Sequence, residues 1–386
     1  MTSRRSFLAA AAAVAATAVS VPRAKAQVRQ PTIDVKKIGA SGGGKFSDLR
    51  HIRRALEMAA EHRGGATIYF PPGDYYLGAV EDGDLLVLQN LQNIRFIGER
   101  ATISCRTSKG RPGIIVIAGS RNIGVEGLSF RDHGLDREEV WGAYAISFIG
   151  DARRSGSENI QIADCKFDSV VAAVGSHGDD GRAPPVRGIR LQNLTVSHSV
   201  YGFNFAESGD DVTGRELSCI DVMRSYFPYG VSRHDIEIDT KNNATGMTDV
   251  LISCYHKSTT DIRLKLKSRG KRGGDTIINF DHQNKVPGLS IRNIKIDADI
   301  DDVNCGLNAA IQFRAMDRNR RTERVTDRRW DAISLDGDIR ICDLTKLIYF
   351  ESVNRTPGRI EIGPRLARHP RLPKSFPGFD ATVVRT

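Results

Sequence analysis

Asn293-Ile294-Lys295-Ile296, Asp261-Ile262-Arg263-Leu264 and Asn159-Ile160-Gln161-Ile162 share one pattern: a polar turn residue, then apolar and polar residues in alternation. Alternation with period two is a strand with one dry face and one wet face. The pattern recurs as Asn93-Ile94-Arg95-Phe96-Ile97, Asn122-Ile123-Gly124-Val125, Gly188-Ile189-Arg190-Leu191 and Asp235-Ile236-Glu237-Ile238. Successive strings stand about 25 to 37 residues apart, except across the wider gap from Ile189 to Ile236, where a string at Val212 fits. A second short strand follows many of them, as in Leu128-Ser129-Phe130 and Leu194-Thr195-Val196. Several short strands per repeat of this length make one coil of a solenoid. A coil cannot bury its own apolar face, so coils must stack, and stacking aligns equivalent strands into parallel sheets. The pattern therefore predicts an all-β fold, a right-handed parallel β-helix. The Asn-Gly and Asp-Gly hairpins of an antiparallel barrel or sandwich are few.

One helical stripe precedes the repeats. Ser47 is placed to cap a segment through His62, with Leu49, Ile52, Leu56 and Ala59 on one face. An open solenoid end exposes apolar core and strand edges, and this helix would cover it. The expected organisation is a leader over residues 1–26 and a single β-helix domain over 27–386. Within that domain the coils run from about 66 to 365 and an irregular tail follows.

The leader reading rests on Ser3-Arg4-Arg5-Ser6-Phe7-Leu8, a mostly alanine run to Val21, and Ala24-Lys25-Ala26 before Gln27. Paired arginines before a short, weakly apolar run read as a Tat signal peptide. The expected partner is the Tat translocon during export, and the expected location is periplasmic or secreted with no stable membrane anchor. The chain carries a net charge of +10; residues 1–26 hold four of the cations and no acid, so the excess falls to +6 beyond them. That excess permits an acidic ligand without requiring one. The Arg-rich stretch from Arg314 to Arg329 is interrupted by Asp317, Glu323 and Asp327 and reads as an exposed loop. With no base-stacking motif, no nucleic-acid partner is expected. The six cysteines lack CxxC or zinc-ligand spacing, and folding before export in a reducing compartment favours buried free thiols.

Asp34-Val35-Lys36-Lys37-Ile38-Gly39-Ala40, the helix, and Gly64-Gly65-Ala66-Thr67-Ile68-Tyr69-Phe70-Pro71-Pro72-Gly73-Asp74-Tyr75-Tyr76-Leu77 follow in that order. Together they resemble the opening of the pectate-lyase-like β-helix superfamily, which includes polygalacturonase-like hydrolases, pectate-lyase-like enzymes and phage tailspikes. The resemblance is good over residues 32–80 and general through the coils to about 300. It departs at Ser41-Gly42-Gly43-Gly44-Lys45-Phe46, where relatives carry a Gly-Asp-Gly turn and paired aspartates. It implies the fold, and a polysaccharide or oligosaccharide as substrate. The polygalacturonase-like pattern is partly present, as Asp210-Asp211, then His234, then Arg263-Leu264-Lys265, without its Asn-Thr-Asp. The plainer reading of Asp210-Asp211 is a polar turn.

Comparing coils points to a second set. His177, Glu207, His234, His256 and His282 fall where strands enter the next turn, with Tyr226, Tyr229 and Tyr255 beside them. Stacking would set matching positions roughly 5 Å apart and line up one exposed face. The expected catalytic residues are Glu207, Asp210, His234, Tyr255, His256 and Lys257. The expected substrate contacts are His177, Asn204, Tyr226, Tyr229, Arg233, Arg263, Lys265 and His282. Rings stack on sugars, and cations bind carboxylates or sulfates. Arg263 and Lys265 also fit a purely structural reading: with Lys267 they form a basic rung beside acidic Glu237 and Asp239. Hydrolysis, the slightly favoured chemistry, needs two carboxylates, with Glu207 paired to Asp210 or Asp179 as candidates. Elimination needs a base and a cation, with Tyr255, His256, Lys257 or Arg233 as candidates, with or without calcium held by aspartates. A non-catalytic carbohydrate-binding or envelope-structural protein is the third reading.

Overall fold

The computed structural model describes residues 30–81, 83–150, 156–178, 186–243, 248–270, 276–282, 288–302, 307–314, 329–341, 344–351, 358–376 and 379–384. The strands form two sheets, one of sixteen strands and one of ten, and every strand pairing in them is parallel. Their order follows the chain coil by coil, which is a right-handed parallel β-helix.

The recurring strings take their shape from the turn before each strand. Asn93, Asn122, Asn159, Gly188, Asp211, Arg233, Asp261, Asn293 and Ala332 occupy one register column, and each has a left-handed backbone, φ from 52 to 69. That conformation penalises most side chains and penalises Asn and Asp least. Stacked amides add bonds along the column: Asn122 Nδ2 donates to Asn93 Oδ1 at 2.8 Å, and Asn159 Nδ2 to Asn122 Oδ1 at 2.7 Å.

The next residue in each coil points inward. Ile160, Ile189, Val212, His234, Ile262 and Ile294 make one buried column. The string near Ile236 is therefore Arg233-His234-Asp235-Ile236, two residues earlier than its alternation suggests, and His234 stands where the other coils place Ile or Val. Phenylalanine stacks reinforce the interior, with Phe280 and Phe313 ring centroids 4.6 Å apart and Phe313 and Phe350 5.3 Å apart.

The helix Leu49–Glu61 buries Ile52, Ala55, Leu56 and Ala59 over the first coil. It starts two residues later than Ser47. Asp48 is the N-cap, but its carboxylate accepts from Ser41 N (2.6 Å) and Gly42 N (3.0 Å), tying down the Ser41-Gly42 turn instead of the helix. At the other end, the tail expected to be irregular carries a helix, Pro364–Ala367, and a strand, Phe379–Val383, added in parallel to Gly358–Ile362. Cys105, Cys165, Cys219 and Cys254 are free and buried; Cys305 and Cys342 lie outside the described residues. Among the described residues no helix is long and apolar enough to cross a membrane, and the leader region lies outside them.

Candidate functional site

The four expected histidines do not form one column. His234 is 1% exposed inside the coil, with its ring between Tyr226 OH (2.6 Å from Nδ1) and Gly209 O (2.6 Å from Nε2). Burial pulls its pKa down from 6.5 to about 4, so it is neutral near pH 7. Tyr226 pairs in register with Phe203 and Val250 and is equally buried. Neither side chain reaches the outer surface, which corrects the placement expected for both. His177 lies beside Ile149 and His282 beside the core residue Cys254; the described structure places the backbone of both and not their side chains.

His256, Glu207, Tyr255, Lys257 and Tyr229 do come together. Glu207 lies at the turn out of the strand Tyr201–Ala206, in a left-handed conformation (φ 51) that costs a non-glycine residue about 1–3 kcal/mol. Its side chain is 2% exposed. Oε1 accepts from both His256 N (3.0 Å) and His256 Nδ1 (2.9 Å), while Oε2 is buried with no hydrogen-bond partner among the described residues. Lys257 Nζ donates to the Glu207 carbonyl at 2.9 Å. The equivalent turn residue one coil on is Gly230, where a Cβ would stand 2.9 Å from Glu207 Cγ; glycine there makes room for the carboxylate. The Tyr255 and His256 rings lie 4.4 Å apart, edge to face. Burial, and then the charge of Glu207, raises the Tyr229 pKa; Tyr144, Tyr201 and Tyr255 act on it as well.

These residues border the outer face of the ten-stranded sheet. One row along it reads Ser147, Gly175, Asn204 and Phe227, and further coils add Asn279 and Gln312. Asn204, Asn279 and Gln312 are each under 8% exposed, and the Oδ1 atoms of Asn204 and Asn279 have no partner among the described residues. Arg224, opposite Tyr201, lays its guanidinium 4.7 Å from the Phe227 ring centroid and 5.8 Å from that of Tyr201. Tyr201, Arg224, Phe227 and Asn279 were absent from the expected set. Their signal was faint: outward positions between inward Phe203, Phe205 and Tyr226, legible only once the register is known.

The remaining expected residues are held elsewhere. Asp210 Oδ1 accepts from Ser232 N (2.7 Å) and Ser232 Oγ (2.9 Å), bracing a turn. Arg233 is ion-paired with Asp211. Arg263 and Lys265 stand on the outer face of the other sheet, opposite Asp235 and Glu237. There they line a shallow groove of about 470 Å³ with Arg215, Lys295 and Asp297. The members of the polygalacturonase-like order all lie on strands of the sixteen-stranded sheet, away from Glu207 and His256, and His234 points into the core while Arg263 and Lys265 point outward. Among the described residues no group of three or more His, Cys, Asp and Glu is placed to hold a metal ion.

Two stacked parallel sheets, a helical cap and a polar outer face define a pectate-lyase-like β-helix protein. Residues 32–247 match the model of the family described as Rhamnogalacturonase A/epimerase, pectate lyase-like, and the chain belongs to that family. It is 24% identical over 244 residues to the plasmin and fibronectin-binding protein A of Streptococcus pneumoniae (strain ATCC BAA-255 / R6), covering 53% of this chain and 32% of that one. The chain thus spans about a third of the length of this curated relative. Among solved structures it resembles the A-module of the Azotobacter vinelandii mannuronan C-5 epimerase AlgE4 (14% identity, TM-score 0.47, 86% of this chain and 87% of that one). It also resembles the catalytic domain of a GH87 α-1,3-glucanase in complex with tetrasaccharides (12% identity, TM-score 0.48, 86% and 66%). Both likenesses are of fold alone.

Proposed function

We propose that this protein is an exported enzyme that cleaves an acidic polysaccharide by β-elimination, with His256 taking the proton. The observation that carries this reading is the buried Glu207 carboxylate, which accepts from both the backbone and the ring Nδ1 of His256. A carboxylate on Nδ1 fixes the tautomer and leaves Nε2 as the basic atom, held in one orientation. The base removes the proton from the carbon beside a uronic carboxylate. The electron pair becomes a ring double bond, and the glycosidic oxygen departs with a proton, for which Tyr255 and Tyr229 are the nearby phenols. Lys257 brings a cation to the same place, where charge develops.

Hydrolysis, slightly favoured by the sequence, gains less support. It needs a second free carboxylate facing Glu207. Asp210 is committed to Ser232, and Asp179 lies outside the described residues. The test is incubation with a panel of acidic and neutral polysaccharides, with calcium and with a chelator, following both reducing ends and the ultraviolet absorbance of an unsaturated uronate. Elimination raises both signals together. Reducing ends without absorbance would return the site to hydrolysis, and neither signal would leave a binding protein. Export through the twin arginines is part of the proposal: with Arg4→Lys and Arg5→Lys together, precursor should accumulate in the cytoplasmic fraction, and unchanged export would sink it.

A further inference from the structure

Among the described residues Arg224 has no ion pair. It lies on the outer face of the ten-stranded sheet, and its Nε is buried with no hydrogen-bond partner among the described residues. Its guanidinium lies against the faces of Phe227 and Tyr201, two rings whose centroids are 6.4 Å apart. It feels the charge of Asp281 without an ion pair to it, and burial draws its pKa below the usual arginine value. Some outward arginines of the other sheet have a carboxylate, as Arg95 has Glu126, Arg131 has Asp168, Arg215 has Asp235 and Arg359 has Asp331, and those without an ion pair among the described residues, such as Arg190 and Arg263, are exposed to water. A half-buried guanidinium left unpaired is destabilising in the free protein, and such groups mark binding sites.

The surroundings suit a sugar acid. Phe227 continues to Tyr229 with centroids 5.0 Å apart, so an aromatic strip runs from Tyr201 toward Glu207 and His256. Beside it Asn204 holds a buried carbonyl oxygen with no partner among the described residues, placed to accept from a hydroxyl. Rings offer faces to sugars, and a guanidinium fixed over a ring presents its edge to a carboxylate in two parallel bonds.

We propose that Arg224, held over Tyr201 and Phe227 beside Asn204, is a carboxylate-binding subsite that selects uronic acid units of the polysaccharide. It rests on the reading of this face as a polysaccharide site and names the substrate class. It lies five residues along the strand from Tyr229, roughly 16 Å, so it acts as a positioning and specificity residue remote from the bond that breaks.

The test is affinity electrophoresis through gels containing polygalacturonate, alginate or glucuronan, and through the same polymers after reduction of their carboxyl groups. It needs no turnover, so it stands apart from the elimination assay: Arg224-dependent binding without an unsaturated product would sink the chemistry and leave the subsite. Wild-type protein should be retarded by at least one acidic polymer and about tenfold less by its reduced form. Arg224→Met should lose about tenfold in affinity for the acidic polymer and keep its affinity for the reduced one. Arg224→Lys, which keeps charge without the planar fork, should fall between them. The melting temperature separates this from a structural role. Loss of a merely structural ring contact would lower it in Arg224→Met, whereas removal of an unpaired cation leaves it unchanged or raises it. Undiminished binding by Arg224→Met, a wild type that binds no acidic polymer or prefers the reduced ones, or a melting temperature that falls together with affinity for both forms would each overturn the proposal.

Discussion

The two outer faces of the solenoid are built by the same repeat and treat charge in opposite ways. On the sixteen-stranded sheet, acidic and basic rungs alternate: Asp235, Glu237 and Asp239 stand opposite Arg263, Lys265 and Lys267, and Lys265 and Lys267 then face Asp297 and Asp299. These side chains are exposed or half-exposed, and the ladder is the structural arrangement expected from Glu237 to Lys267. On the ten-stranded sheet, polar groups are buried and, among the described residues, incompletely paired, as at Glu207 Oε2, Asn204 Oδ1, Asn279 Oδ1 and Arg224 Nε. A buried polar group without a partner costs about 1–3 kcal/mol, whereas an exposed cross-strand pair contributes about 0.2–1 kcal/mol. One face therefore adds stability in small increments, and the other gives stability up in a few places. Such uncompensated groups are where a ligand is expected.

The contrast breaks most readily at Glu207 and His256. His256→Gln should lower turnover of the responsive polysaccharide by roughly 10²–10⁴, the usual contribution of a general base, with little loss of folding stability. Glu207→Gln should fall less, because the ring loses its negative partner but keeps a hydrogen-bond acceptor. Activity unchanged in both variants would move the chemistry off this face.

Between the faces, His234 gives a stability readout. Its folded pKa, about 4, lies below the ordinary 6.5, so the unfolded chain binds the proton first as pH falls. The neutral ring's contribution is fully present above about pH 6.5 and is lost by about pH 4, a change on the order of 3 kcal/mol. Denaturant midpoints measured across that window should slope for the wild type and flatten for His234→Asn. Equal slopes would mean that the ring is charged or exposed in solution.

The smallest effect belongs to the charged ladder. Glu237→Lys puts like charges opposite each other across the strands at Lys265 and should cost about 0.2–1 kcal/mol, with activity intact. A larger loss, or a loss of polysaccharide binding, would mean that the groove beside Arg263 and Lys265 has a part in substrate recognition, as the sequence allowed.

Local sequence carried the fold because its signals are local. The alternation in Asn159-Ile160-Gln161-Ile162 sets which face is wet, the Asn or Asp before it tolerates the left-handed turn, and the Leu49–Glu61 stripe makes a cap. Parts of the site were legible for the same reason: Glu207, His256, Lys257 and Tyr229 belong to turns that stacking must bring close. His234 and Tyr226 misled because register is not local. Moving a string by two residues keeps its alternation but changes which coil position each residue fills, and only pairing with Val212 and Ile262 shows that His234 holds an isoleucine's place. Arg224 and Asn279 were missed because isolation is a property of the assembled surface: whether a cation or a carbonyl has a partner depends on neighbours one coil away. The chain by itself determined a stacked parallel coil with a capped start. The tertiary register alone decided which polar side chains were buried without partners, because it sets what stands opposite each of them.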